Sequence, residues 1–392
     1  QAKSKVPLFI GIDAEWGLSM RLDSTYRYPW NMTLGAVQDM KLIEKAGNQM
    51  AKQSKRMGIH FNFAPVVDIN TNPKNPIIGN RSFGETKENV TTRAIALMKG
   101  LQDEGVYATA KHFPGHGDTS TDSHHTLPVV NFDRKRLDDI ELYPYKELIK
   151  NGLSSVMVAH LNVPSLEPRE NYPTSISYPV VTDLLKKELQ FEGLIFTDAL
   201  NMKGASNFKK PGDIDLEAFL AGNDVLLFAE NVPVAIKKFK EAFEKGIITE
   251  ERLMYSVKKI LAYKFKANLN NYKPIVIDNL YKDLNAVEFD ALNYKLYENA
   301  ITVIKNNEKL VPVRDIDKEK IAYIKLGNDN GETFLSQLRN YATISEITNK
   351  NLDSVLVQLQ DYTKVIIGYH KQDGAWRNHN LNFKEMLWIN QI

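Results

Sequence analysis

The sequence predicts an α/β protein: a TIM-like (β/α)8 barrel, incomplete at its N-terminus, followed by a smaller and truncated-looking α/β/α sandwich. Three features predict this. Short apolar runs alternate with longer amphipathic stretches for more than 250 residues, a polar linker follows at Asn268–Pro274, and a second, shorter strand–helix alternation runs on to Ile392.

In chain order the strand candidates are Pro7–Asp13, Ile59–Ala64, Val106–Lys111, Ser154–His160, Gly193–Asp198 and Asp224–Phe228. Each is short, rich in β-branched or aromatic residues, and closed by a turn or polar segment. Helical patterns lie between them, roughly at Leu34–Met57, Lys87–Glu104, Leu137–Asn151, Pro179–Leu189 and Val232–Lys245, and from Glu250 to about Phe265. A barrel of eight strands has two more than these six. Either some lie upstream of Gln1, or strands are hidden in stretches that read as loops. The pattern restarts near Asp278. A helix around Leu292–Lys305 precedes strands at Ile321–Lys325, Thr343–Ile347 and Lys364–His370, which makes a small doubly wound βαβαβ unit. The expected domains are therefore a barrel over 1–270, a linker over 271–290 and a sandwich over 291–392.

Composition narrows the function classes. Hydrophobic residues are 43% and charged residues 25% of the 392, as in ordinary globular proteins. Fifty Lys and Arg against 48 Asp and Glu leave a formal charge of +2, so no overall field recruits nucleic acid. Cysteine is absent, which removes disulfides and thiolate chemistry. No apolar run approaches the ~20 residues that span a bilayer. No signal-peptide pattern is visible, and since the chain opens at Gln1 without a Met, that says little about location.

Four of the eight histidines fall between Lys111 and His125, in the run Lys111-His112-Phe113-Pro114-Gly115-His116-Gly117-Asp118 and its continuation Asp122-Ser123-His124-His125. Pro114, Gly115 and Gly117 forbid a continuous helix, so this is a loop at the C-terminal end of a strand, where barrels carry their active sites. Two chemical readings stand here. One is a metal site using His112, His116 and His124, although the Pro-Gly break removes the helical spacing of zinc proteases and no His-x-His pair is present. The other is proton transfer by His124 held by Asp122, since a carboxylate partner favours imidazolium and fixes the tautomer. A polar loop with locally satisfied hydrogen bonds is the third reading, and it prevails for an isolated Asp-x-His.

The strand Gly193–Thr197 ends in Asp198, which suits a nucleophile or a ligand at a barrel mouth and equally a helix N-cap. Phe9–Asp13 ends in Asp13, Glu15 and Trp16, followed by Arg21. Carboxylates and an aromatic face are the mixture that sugar sites use, and a surface turn is the alternative. Arg81 offers a further cation or a structural ion pair, and His160 ends the strand Ser154–His160 as a ligand-facing or core histidine. Several strands ending in ionisable groups argue for one shared mouth.

At these residues the chain resembles the family 3 glycoside hydrolases, in their β-N-acetylhexosaminidase (β-N-acetylglucosaminidase) branch. Lys111–Gly117 followed by Asp122-Ser123-His124 is similar to the signature of that branch. Ile195–Leu200 resembles its nucleophile strand, Pro7–Leu22 its early strand and acidic loop, and Asn80–Gly84, Met157–Pro164 and Leu261–Asn268 match further segments. The likeness covers roughly residues 5 to 270. The resemblance implies Asp198 as nucleophile, His124 as general acid/base and Asp122 as its partner. It implies Asp13, Arg81, Lys111, His112 and Arg21 as contacts to the sugar, with His160 and Met202 nearby. It implies retaining hydrolysis of a terminal β-linked N-acetylglucosamine, and no metal or organic cofactor. The expected partner is a GlcNAc-containing oligosaccharide or muropeptide; nucleic acid and a membrane span are not expected. Two-domain relatives are often exported, which favours the cell envelope, the periplasm or secretion over the cytoplasm. Trp16 stands where the family loop has Gly, Leu18 where it has Arg, and Ala199 where a second Asp usually follows the nucleophile. These departures keep open a sugar-binding protein on the same scaffold, beside the metal-dependent hydrolase and a transferase or phosphorylase variant.

Overall fold

The computed structural model describes residues 4–121, 126–372 and 380–392, and the chain divides into two compact units, 1–301 and 302–392. In the first unit, strands β1 (Gly11–Ile12), β2 (Phe61–Asn62), β3 (Tyr107–Phe113), β4 (Ser155–Val158) and β5 (Leu194–Thr197) form one parallel sheet in that order. Sequential strands as neighbours, with helices between them, are the barrel-type winding that the alternation predicts. Among the described residues the sheet has five strands, where a complete (β/α)8 barrel has eight. The sixth candidate, Asp224–Phe228, contributes one bridge, Val225 to Phe196. Its backbone bonds β5 at the Ile195 carbonyl, 2.8 Å from the Asp224 N–H, and the Asp224 side chain accepts from the Ile195 N–H at 3.1 Å and from Lys259 Nζ at 2.9 Å. Its last residue, Phe228, has φ +49°, which turns the chain away. β1 and β2 are shorter than expected because a side chain takes over their pairing: the Asn62 amide bonds the N–H and C=O of Ala14 at 3.1 and 3.0 Å.

Helix Met40–Arg56 starts where Asp39 accepts from the Lys41 N–H, and helix Lys87–Asp103 where Thr86 accepts from the Asn89 N–H. The apolar stripes Leu42, Ile43, Ala46, Met50 and Val90, Ala94, Leu97, Leu101 are buried in the main core. The two backbones touch: a Cβ on Gly100 would lie 2.1 Å from the Glu44 carbonyl oxygen. The helix expected over Leu34–Met57 is two pieces, Asn31–Ala36 and Met40–Arg56, since Val37 is extended and Asp39 caps the second.

The stretch expected to act as a linker is fastened to this unit. Gln53 donates to the Leu284 carbonyl, and Arg56 donates to Asp283 and to the Asp278 carbonyl. Helix Val287–Ala300 buries Phe289, Leu292 and Leu296, the last two in the main core, so residues expected to open the second domain pack with the first unit.

The second unit has three parallel strands, β6 (Ile321–Gly327), β7 (Ile344–Ile347) and β8 (Lys364–His370), in the order β7-β6-β8. The period of two in β6 divides its core: Ile321 and Tyr323 pack with Leu335, while Ile324 and Leu326 pack with Val355 and Trp388. Helix Glu332–Leu338 therefore covers one face, and helices Leu352–Leu359 and Phe383–Gln391 the other. Among the described residues no helix is long and apolar enough to cross a membrane.

Candidate active site

Five strand ends of the first unit deliver ionisable side chains at the same, C-terminal, edge of the sheet, the edge that carries sites in barrels. Asp13 follows β1, Asp68 follows the Val66–Val67 extension of β2, Lys111 and His112 lie near the end of β3, His160 follows β4 and Asp198 follows β5.

Lys111 is the centre of one cluster. It is only 2% exposed, a position open to an ammonium only if it is paired. Its Nζ lies 2.8 Å from Asp13 Oδ1 and 2.8 Å from Glu15 Oε1. Glu15 is also held by Arg81, Nε to Oε2 at 2.9 Å and Nη2 to Oε1 at 2.8 Å. Arg21, half-exposed, reaches the other oxygen of Asp13 at 2.8 Å. Burial pushes the Glu15 carboxyl up, but Arg81 and Lys111 outweigh it and hold the pKa at about 2. The same balance, burial against Lys111 and Arg21, leaves Asp13 far below the usual carboxylate range. Burial would lower Lys111, and Asp13 with Glu15 raise it instead. The cluster is thus fixed in its charged form. Asp13 is the accessible carboxylate of the cluster, about one-third exposed (32%), and keeps lone pairs for an incoming hydroxyl. Arg81 is spent largely on Glu15, His112 and the Ile77 carbonyl.

His112 joins this cluster to a second. Arg81 Nη2 lies 3.3 Å from its Nε2, and Asp68 Oδ2 lies 2.6 Å from its Nδ1. His116 turns its Nδ1 to Thr119 Oγ1 at 2.7 Å, and burial lowers its pKa to about 4, which keeps it neutral. The turn that follows His116 is pressed onto the chain just past Asp68: a Cβ on Gly117 would lie 1.8 Å from the Ile69 carbonyl oxygen. With both ring nitrogens of His112 engaged and His116 Nδ1 bonded to Thr119, the described donors do not fit a metal ion, and no group of three His, Asp or Glu forms a site among the described residues.

Asp198 differs from the other carboxylates. Its Oδ1 accepts from the Ala199 N–H at 2.8 Å. Burial raises its pKa, but His112, His160, the Ala199 N–H and Lys111 more than offset this and keep the carboxylate ionised. His160 is oriented by Ser175 Oγ at 2.7 Å on Nδ1 and by the Ala199 carbonyl at 3.0 Å on Nε2. The same carbonyl accepts the Met202 N–H at 3.0 Å, which brings Met202 to this corner through its backbone.

The structure brings Asp13, Arg81, Lys111, His112 and Arg21 into one network, with Asp198, His160 and Met202 beside it. Asp122 and His124, the expected acid/base pair, lie outside the described residues. Two residues were not singled out by sequence. Glu15 stood in the acidic loop without a role of its own, yet it is the most buried acid of the network, at 0% exposure. Asp68 lies beyond the strand candidate, which ends at Ala64, before Pro65. The signal was there: Val66-Val67-Asp68 is an apolar run ending in Asp, as Phe196-Thr197-Asp198 is. In the loop after β1, the rings of Trp16 and Trp30 lie 4.3 Å apart between centroids, with the Arg27 guanidinium 5.0 Å from the Trp30 ring.

The sequence model of the glycosyl hydrolase family 3 N terminal domain matches residues 1–263. Beta-hexosaminidase A of Pseudoalteromonas piscicida is 34% identical over 343 residues, covering 80% of this chain and 56% of that protein. The chain spans a little over half the length of the first such relatives, 56% and 57%. A solved family 3 β-N-acetylglucosaminidase from Paenibacillus sp. str. FPU-7 superposes with a TM-score of 0.76 at 34% identity, over 92% of this chain and 72% of that one. A solved β-glucoside phosphorylase superposes with a TM-score of 0.80 at 25% identity, over 94% of this chain and 71% of that one.

Proposed function

The chain belongs to glycosyl hydrolase family 3, and from that premise we propose that it removes terminal β-linked N-acetylglucosamine, with retention of configuration, from peptidoglycan-derived fragments. The observation that carries this reading is Asp198: a carboxylate at the end of β5, kept ionised by the imidazoles and ammonium around it and bonded through Oδ1 to the backbone N–H of Ala199. That is the state a nucleophile needs. The relatives named as hexosaminidase and β-N-acetylglucosaminidase support the sugar.

In the proposed reaction Asp198 attacks the anomeric carbon while His124, charged and paired with Asp122, protonates the leaving oxygen. The glycosidic bond breaks and a glycosyl ester of Asp198 forms. Neutral His124 then takes a proton from water, the water oxygen attacks the anomeric carbon, and the ester bond breaks to release the sugar. Asp13 accepts the sugar hydroxyls, with Lys111, His112 and Arg81 forming the wall of the sugar site behind it, Arg21 and His160 at the edges of that set and Met202 beside His160. Glu15 keeps Lys111 and Arg81 in place. A histidine acid is neutral once it has given up its proton, so it repels anionic groups less than a carboxylate does. Muropeptides carry such anions, which favours them as substrates.

The likeness to a β-glucoside phosphorylase favours one second reading, transfer of the sugar to phosphate. Turnover of an aryl β-N-acetylglucosaminide tests both. Free sugar in water and in phosphate buffer supports hydrolysis, and sugar 1-phosphate supports transfer. Asp198→Ala is expected to abolish turnover, and full activity in that variant overturns the nucleophile assignment.

A further inference from the structure

We infer that Asp68 is a positioning residue for this site, acting through His112; the inference deepens the proposed function and rests on it. Asp68 is only 1% exposed. Its Oδ2 lies 2.6 Å from His112 Nδ1, and its Oδ1 accepts the backbone N–H of His116 at 2.6 Å. Both oxygens lie 3.3 Å from the backbone N–H of His112. One carboxylate therefore holds the ring of a sugar-site histidine, the strand end that carries it and the turn that follows.

The chemistry of the neighbours fixes the direction of each bond. A guanidinium only donates, so the 3.3 Å contact from Arg81 Nη2 makes His112 Nε2 the acceptor. The ring proton then sits on Nδ1, facing Asp68. Exchange of the two nitrogens would point an N–H at the Arg81 guanidinium and set the Nδ1 lone pair against the buried Oδ2 of Asp68, which would lose its ring donor. Asp68 thus selects the tautomer that His112 presents to Arg81 and to the sugar pocket, without touching the sugar. An asparagine in its place still accepts the His116 N–H, but its NH2 group faces the ring and favours the opposite tautomer.

The test combines 15N NMR of histidine-labelled protein with a double-mutant cycle on an aryl β-N-acetylglucosaminide. The wild-type His112 signal, assigned by its loss in His112→Gln, is expected to carry its proton on Nδ1, and Asp68→Asn is expected to shift that tautomer. Asp68→Asn is expected to lower kcat/KM roughly 10- to 100-fold in the wild-type background and less than about 3-fold in the His112→Gln background. Equal losses in both backgrounds, or a tautomer unmoved by Asp68→Asn, overturn the inference. If the wild-type protein turns over no β-N-acetylglucosaminide, the proposed function fails and the tautomer measurement alone decides the place of Asp68. If Asp68→Asn does not fold by circular dichroism, the wild-type ring decides: a proton on Nδ1 supports the inference and one on Nε2 overturns it.

Discussion

The Arg81 guanidinium grips the Glu15 carboxylate with two parallel hydrogen bonds, 2.9 Å at Nε and 2.8 Å at Nη2, and Glu15 has no exposed surface. Removing one partner of such a pair leaves an uncompensated buried charge and costs roughly 3–5 kcal/mol. Lysine cannot rebuild the fork, so Arg81→Lys is expected to lose both stability and activity. The pH dependence has a definite sign. The Glu15 pKa falls from its ordinary 4.5 to about 2 on folding, so its contribution is complete above about pH 4.5 and is lost as pH drops toward 2. Thermal melting of the wild-type protein is expected to weaken across that window, and Glu15→Gln to show a shallower slope there. Parallel pH profiles for the two proteins contradict this.

Glu141 acts in the opposite sense. It packs against Gly115, where a Cβ would lie 2.9 Å from its own Cβ, and Arg136 Nη2 reaches its Oε1 at 3.0 Å. Burial raises its pKa from 4.5 to about 7 despite Arg136. The folded protein therefore binds a proton that the unfolded chain has released, and stability falls as pH rises from about 4.5 to about 7. Glu141→Gln is expected to flatten that slope and to be the more stable protein above pH 7, by on the order of 1–3 kcal/mol. Denaturant midpoints between pH 4.5 and 8 read this out. A variant that stays less stable than wild type at pH 8 contradicts it.

In the proposed mechanism His124 gives its proton to the leaving oxygen, which matters only where the leaving group needs one. His124→Ala is expected to slow glycosylation strongly for alkyl glycosides and least for aryl glycosides with acidic phenols. Single-turnover rates plotted against leaving-group pKa give a steeper slope for the variant. Unchanged slopes remove His124 from the acid position.

Trp16 and Trp30 offer an aromatic face in the loop after β1, one residue from Glu15. Trp16→Ala is expected to raise KM for a disaccharide or muropeptide roughly 3- to 10-fold more than for a small aryl glycoside, the size of a lost stacking contact. Equal increases for both substrates contradict a contact beyond the first sugar.

The strand–helix order and the acids and bases at strand ends were legible because each rests on a local pattern. An apolar run of β-branched residues followed by Asp or His is visible at Asp13, Lys111-His112, His160 and Asp198. Pairing between distant segments was not legible. That Glu15 belongs to Arg81, 66 residues on, and Asp68 to His112, 44 residues on, follows from the fold and from no spacing. Asp224–Phe228 was read as a full strand because its apolar run matches one. It pairs with β5 through the single bridge Val225 to Phe196, and Asp224 is tied to Lys259, a partner outside any local window. Residues 271–290 read as a linker because the stretch that opens them, Asn268–Pro274, is polar; the bond from Gln53 to the Leu284 carbonyl, between segments far apart in sequence, fastens them to helix Met40–Arg56, and Leu292 and Leu296 pack in the main core.

The proposed covalent step is open to direct measurement. Incubation with a 2-fluoro or 5-fluoro N-acetylglucosaminyl-type inactivator, followed by proteolysis and peptide mass analysis, traps the glycosyl ester where it forms. A single sugar adduct on the peptide that contains Asp198, absent from Asp198→Asn, is the expected result. An adduct on any other residue, or turnover that survives Asp198→Ala, contradicts the assignment of Asp198 as the nucleophile.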